Sequence, residues 1–238
     1  MKKAPKLLAI AALLVAFYNT SFAQFSIGLR GGFNFSNVYA TNGLDAITPD
    51  FQRISGPSIA GVLEYGISDH FALQTELAIT RKGFKLGLDK DITLFNIPIP
   101  VGATAESRFN YVEVPLLAKV KFGDEVVHGY ITAGPTVGYA TSGRLITRAN
   151  ALFEFKVSDT DINLDAINYE RLEVGGSIGA GLGFSTGFGQ LFADARYTRG
   201  FTQLYDIPVV EEKIRNQGFA VSVGFLVPLS SGNRRIYP

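Results

Sequence analysis

The chain has 238 residues, 47% of them hydrophobic and 18% charged, with 26 glycines and no cysteine. The lack of cysteine excludes disulfide scaffolds, thiol nucleophiles, thiolate metal sites and cysteine-linked lipid anchors, and two histidines leave little imidazole chemistry. A formal charge of +1 gives no case for a nucleic-acid partner, and after the first twenty-odd residues no apolar stretch approaches the length of a membrane-spanning helix.

Lys2, Lys3 and Lys6 precede an apolar run from Leu7 to Phe17, and Ser21-Phe22-Ala23 then places small residues where a signal peptidase reads them. The pattern predicts a secretory signal peptide, residues 1–23, cleaved before Gln24. The apolar run is well short of the ~20 residues that a spanning helix needs. Removing it takes away three lysines and no acid and leaves residues 24–238 with a net charge of −2.

From Phe25 the hydropathy has period two. Phe25, Ile27, Leu29, Phe33 and Phe35 alternate with Ser26, Gly28, Arg30, Gly32, Asn34 and Ser36, as in a strand with one apolar and one small or polar face. The pattern returns at Ile59 to Ile67 against Ser58, Ala60, Glu64 and Gly66, and at Phe71 to Ile79 against Gln74, Glu76, Thr80 and Lys82. It continues at Val112 to Phe122 against Glu113, Lys119 and Lys121, and at Ile131 to Tyr139 against Tyr130, Thr132 and Thr136. The last runs are Leu172 to Phe184 against Glu173, Ser177 and four glycines, Leu191 to Tyr197 around Asp194 and Arg196, and Phe219 to Val227 around Ser222 and Gly224. Eight strands follow.

The connections alternate in length. Short links at Ser68-Asp69, at 123–125 and at 187–189 separate long ones at about 39–55, 85–108, 145–168 and 202–215. This alternation predicts an all-β fold, an eight-stranded antiparallel up-and-down transmembrane β-barrel with long extracellular loops, short periplasmic turns and periplasmic termini. Residues 230–238 then form a short periplasmic tail. Segments 92–101 and 151–157 read as loop extensions above the membrane, because Pro98, Pro100 and the short length of the segments argue against further membrane strands.

A soluble lipocalin-like barrel needs an apolar cavity and a charged exterior. Here the second face is built from Gly, Ser, Ala and Thr with few charges, which suits a narrow lumen and not a solvated outside. Gly175, Gly179, Gly181 and Gly183 share one parity and read as lumen relief, since the order of a nucleotide loop is absent. Phe33, Phe35, Tyr65, Phe71, Phe122, Tyr139 and Phe201 can supply an interfacial aromatic girdle without tryptophan.

Several stretches, FSIGLRGGFNFSNV, FALQTELAITRKGFK, YVEVPLLAKVKF, GYITAGPTVGY and FAVSVGFLVPL, resemble the Bacteroidetes-type outer-membrane β-barrel family labelled porin-like or PorT-like. They cover nearly all of the strands and little of the loops. The resemblance implies a small barrel in the outer membrane, and for the PorT branch an association with type IX secretion and gliding machinery. Thr75 stands where relatives often carry a proline, and the polar tail from Ser230 replaces a terminal aromatic.

Arg30, Glu64, Glu76, Glu113, Lys119, Asp194 and Arg196 all fall on the inward parity. Buried charges must pair or stay wet, so this lumen cluster is either a polar conducting path or a salt-bridged plug, and the size of an eight-stranded barrel favours the plug. His70 and His128 stand beside periplasmic turns as solvated or capped turn residues, which leaves a general base at the outer rim to a carboxylate or lysine. Asp159, Asp161, Asn163 and Glu170 match four positions of a calcium loop, but Leu164 occupies the position that requires glycine, and the run reads as a solvated acidic loop. No metal or other cofactor is expected. Apolar loop residues, among them Phe95, Ile97, Phe153, Phe155, Ile207 and Val209, are candidates for contact with a partner or for a cap on the barrel.

These readings converge on a non-enzymatic outer-membrane barrel with a structural or interaction role. A PorT-like secretion component, a narrow porin-like channel and a surface enzyme are the alternatives. The expected partners are outer-membrane lipid, lipopolysaccharide and an envelope or secretion-machinery protein.

Overall fold

Period-two hydropathy becomes nine antiparallel strands in the computed structural model, which describes residues 24–40, 51–94, 97–124, 126–150, 154–204 and 214–229. They are β1 (Gln24–Ala40), β2 (Phe51–Gly66), β3 (Phe71–Leu94), β4 (Ile97–Gly123), β5 (Val127–Asn150), β6 (Glu154–Ile162), β7 (Leu172–Ser185), β8 (Gln190–Gly200) and β9 (Ile214–Pro228). Eight of them form an up-and-down ring in which each strand pairs with its sequence neighbour, β7 follows β5, and β9 closes onto β1 with Leu29 opposite Phe225.

The ninth strand stands outside that ring. The lower part of β5, Val127 to Tyr139, pairs with β7, while its upper part, Gly143 to Asn150, pairs with β6. The long connection expected at 85–108 is likewise not a loop. β3 and β4 continue as one hairpin up to Leu94 opposite Ile97. Leu86, Leu88, Ile92 and Leu94 keep the period of two through this stretch. Pro98 and Pro100 are accommodated because the β4–β5 register begins at Gly102, so the prolines pair only with β3 among the described residues and sit on an edge where no N–H is needed.

The opposite end of the barrel carries three tight turns. Ser68 Oγ accepts the Phe71 N–H at 3.2 Å, the Asp124 N–H donates to the Val127 carbonyl at 3.0 Å, and the Thr186 N–H donates to the Gly189 carbonyl at 2.6 Å. Gly123 enters the second turn at φ +113°, a conformation that disfavours any side chain.

The apolar parity faces outward on every ring strand, with Leu29, Ile59, Leu77, Leu116, Ile131, Leu182 and Val223 all exposed. Between Phe71 and Ile79, Val112 and Phe122, Leu172 and Phe184, and Phe219 and Val227, no outward position carries a charge. Such a wall is insoluble in water and suited to hydrocarbon. The inward parity packs Val62, Tyr130, Phe192 and Leu226 together near the turn end. At the loop end Val38, Phe84, Phe109, Tyr111, Ala140, Leu164, Tyr169 and Leu204 form a second cluster across the mouth.

Candidate functional site

Alternation directs one side chain in two into a lumen too narrow for bulk water, so each charge there needs a partner. All seven residues of the expected cluster face inward, and the structure sorts them into three levels. Nearest the turns, Glu64 on β2 receives Lys119 from β4 at 2.7 Å and also Lys121. Lys119 is 1% exposed and lies over the Tyr130 ring, 4.0 Å from its centroid.

At the middle level Glu76 joins two guanidinium groups. Arg30 reaches its Oε2 and Arg196 its Oε1, both at 2.7 Å, and Gln74 donates to Oε1 at 2.7 Å. Arg196 also holds Asp194 at 2.7 Å, and Ser222 donates to Asp194 at 2.5 Å while accepting from Arg30 at 2.9 Å. The ring of interactions thus ties β1, β3, β8 and β9 together. Gly179 makes room for it, since a Cβ there would lie 2.6 Å from Arg196 Cγ.

The upper level contains Lys82, which bridges Glu113 and Glu173 at 2.5 Å each. Asn216 donates to Glu173 and to the Tyr111 hydroxyl, and Tyr111 shares a hydrogen bond of 2.5 Å with Tyr169. Tyr169 stacks on Phe109 with ring centroids 4.5 Å apart. Tyr169 and Leu164 enter the mouth from the turn between β6 and β7, which is fixed by Asn163 Oδ1 accepting the Asp165 N–H and by the Arg171–Asp165 pair at 2.9 Å. A cavity of about 20 Å³ beside Lys82, Glu113, Glu173 and Asn216 has room for about one water.

Glu113 therefore belongs with Lys82 and not with the middle level. Lys82, Lys121 and Glu173 were absent from the expected cluster although they share its parity. With them the described lumen holds five cations and five carboxylates. Of the reading of His128 as a solvated or capped turn residue, the solvated alternative is corrected: the residue is buried on the lumen parity at the turn end of β5, 3.0 Å from the Gln190 amide. His70 is exposed in its turn, where its carbonyl accepts the Lys121 N–H at 2.7 Å.

Above the wall, Glu106 on β4 is gripped by Arg108 at 2.6 Å and Arg148 at 2.8 Å. Burial by itself raises the pKa of this carboxyl, but the hydrogen bonds and charges of the two arginines outweigh it and hold the group below the usual carboxylate value. Asp159 and Asp161 lie on β6 and pair with Arg144 at 3.5 and 3.2 Å. The hydrogen bond from Lys156, with the charges of Lys156 and Arg144, lowers the Asp159 pKa. Leu164 is packed into the cap at 2% exposure, and the described residues contain no group of three or more acids or histidines placed to hold a metal.

Phe155 is exposed on β6, and Ile97 pairs with Leu94 at the tip of the β3–β4 hairpin. Phe95, Phe153, Ile207 and Val209 lie outside the described residues.

The chain is similar to the attachment invasion locus protein Ail of Yersinia pestis, solved with the heparin analogue sucrose octasulfate, at 14% identity over 86% of this chain and 98% of that one, with a TM-score of 0.38. It is similar to Neisserial surface protein A at 14% identity over 83% and 95%, TM-score 0.41, and to OprG of Pseudomonas aeruginosa at 13% over 87% and 94%, TM-score 0.38. No curated protein matches the sequence. The model of the outer membrane protein beta-barrel domain matches residues 19–206, and the chain belongs to this outer-membrane family.

Proposed function

We propose that the protein is a non-enzymatic, non-conducting outer-membrane barrel that presents its projecting sheet to a partner in the envelope. One observation carries this reading: the lumen is occupied from the turn end to the mouth by three levels of paired charges under an apolar cap. A conducting path would need a continuous wet route, whereas the cavity at the upper level has room for about one water. An enzyme at the outer rim would need a free base, and four of the acids there, Glu106, Asp159, Asp161 and Asp165, are engaged by arginine, while Glu170 is exposed in the turn before β7.

Cleavage of residues 1–23 and export through the periplasm would leave both termini and the tight turns on the periplasmic side and the extensions of β3 to β6 outside. Those extensions expose Phe155 and Val157 on an edge strand, the kind of surface that marks a contact site. The motif resemblance supports a finer reading in which this chain is itself a PorT-like component of a secretion machinery and the partner is another component of it. A photo-crosslinking residue at Val157 in living cells is expected to capture a discrete envelope protein, and one at Leu182 in the wall only lipid. Equal, diffuse adducts at both positions would contradict an interaction role for the sheet.

A further inference from the structure

The arginines of this chain are not scattered. Among the described residues Arg30 and Arg196 lie in the lumen, and every other arginine lies at the loop end. On β3 the outward series Leu73, Leu77 and Ile79 continues directly into Arg81, on β8 Tyr197 continues into Arg199, and on β9 Phe219 is followed on the same parity by Gln217 and Arg215. Arg53 near the start of β2, Arg108 on β4 and Arg144 on β5 bring the ring strands represented to six, while Arg148, higher on β5, and Arg171, in the turn before β7, lie at the same end and are held by Glu106 and Asp165. The turn end has the opposite character, with Asp69 and Asp124 exposed there.

Arg108 stands directly across the β4–β5 ladder from Arg144. Like charges in that relation repel, and a structure that keeps them there holds anions close by. Some of those anions are its own: Glu106 takes Arg108, and Asp159 and Asp161 take Arg144, which remains about half exposed. Arg53, Arg81, Arg199 and Arg215 form no ion pair among the described residues. Arg199 lies over the Tyr39 ring, 4.4 Å from its centroid, and Tyr39 is itself held by a hydrogen bond to the Gly200 carbonyl and stands opposite Arg215. That stacking, with a hydrogen bond between Arg199 and Tyr39, holds the guanidinium group in place on the rim.

We propose that this belt, Arg53, Arg81, Arg108, Arg144, Arg199 and Arg215, is a binding surface for the phosphate groups of outer-leaflet glycolipid. The wall below the belt is uncharged and sits in acyl chains, so the belt lies at the depth of the headgroups. Guanidinium groups match phosphate in a two-pronged geometry that the more compact lysine ammonium does not reproduce, and arginine supplies the belt on all six strands. A lipid reaching this rim would place its chains on Ile79, Tyr197 and Phe219 while its phosphates meet Arg81, Arg199 and Arg215.

The orientation belongs to the proposed function, and the two can fail separately. Binding by the purified barrel does not depend on which way it inserts, whereas labelling of a Ser158→Cys variant on intact cells reads orientation alone, in a chain with no native cysteine. The binding test uses the refolded mature barrel in detergent and native mass spectrometry with bisphosphorylated lipid A, its dephosphorylated form and free pyrophosphate as probes. The expected result is retention of the bisphosphorylated lipid about tenfold above the dephosphorylated one, with weaker retention at higher salt. The triple variant Arg81→Gln, Arg199→Gln, Arg215→Gln, shown to be folded by its heat-modifiable gel mobility, is expected to lose that preference, and the matching lysine variant to recover part of it. Equal retention of the two lipids by the native barrel would overturn the proposal whether or not the variants fold. An unchanged preference in the folded glutamine variant would also overturn it. Pyrophosphate binding as tight as that of the lipid would assign the belt to a soluble phosphate and contradict the lipid source.

Discussion

Glu76 accepts from Arg196 and Gln74 at 2.7 Å and forms an ion pair with Arg30 at 2.7 Å, so its charge is a shared hinge for two cations with few other partners. Replacing it by Gln keeps the shape and removes the charge. Breaking one side of a buried pair costs about 3–5 kcal/mol because the other side remains buried. Glu76→Gln is therefore expected to lower the urea midpoint of the refolded barrel clearly, and a midpoint within error of the native one would show that the middle level is wet. Gly179 makes the complementary steric case: Gly179→Val pushes into Arg196 Cγ and is expected to cost about 1–3 kcal/mol in the same assay. Glu106 carries a pH dependence. Its folded pKa lies below the ordinary value of 4.5, so its contribution is complete above that value and is lost as pH falls through the depressed one. Protease resistance of the projecting hairpin should decline on acidification below about pH 4.5, and Glu106→Gln should remove that part of the decline. Identical acid profiles for the two proteins would contradict the Arg108–Glu106–Arg148 grip.

Among the elements, β6 is the one whose removal the ring should tolerate. Among the described residues it pairs only with the upper part of β5, and residues 155–161 are exposed on both faces. Replacing Glu154–Ile162 with a flexible linker is expected to leave heat-modifiable mobility and the urea midpoint unchanged, and loss of folding would mean that β6 supports the cap through Leu164 and Tyr169. Parity made most of this scale readable from sequence. Leu73, Leu77 and Ile79 against Gln74, Glu76 and Thr80 leave no doubt about which face is greasy. What parity does not give is height: the strand tilt and stagger decide that Glu113 meets Lys82 and not Arg30, and no local pattern encodes them. Lys82, Lys121 and Glu173 were legible as inward residues but not as partners. The β3–β4 extension was hidden by Pro98 and Pro100, which mark an edge here and not a loop. His128 was drawn to the turn by its nearness in sequence, although it shares the parity of Tyr130.

For the whole molecule, the lumen residues neutralise one another, the wall presents only uncharged side chains to the membrane, and the hairpins of β3 to β6 rise beyond it. Matched charges inside a narrow barrel stabilise it as a core does, and on the proposed reading they also close it. The outer surface and the rim are then left to carry the interactions. The central claim is that this barrel is plugged, and planar-bilayer recording of the refolded mature protein tests it most directly. The native barrel should stay electrically silent across the accessible voltages, while a variant with Arg30, Glu76, Asp194 and Arg196 all changed to Ala should show discrete openings. Steady ohmic steps from the native protein would contradict the account.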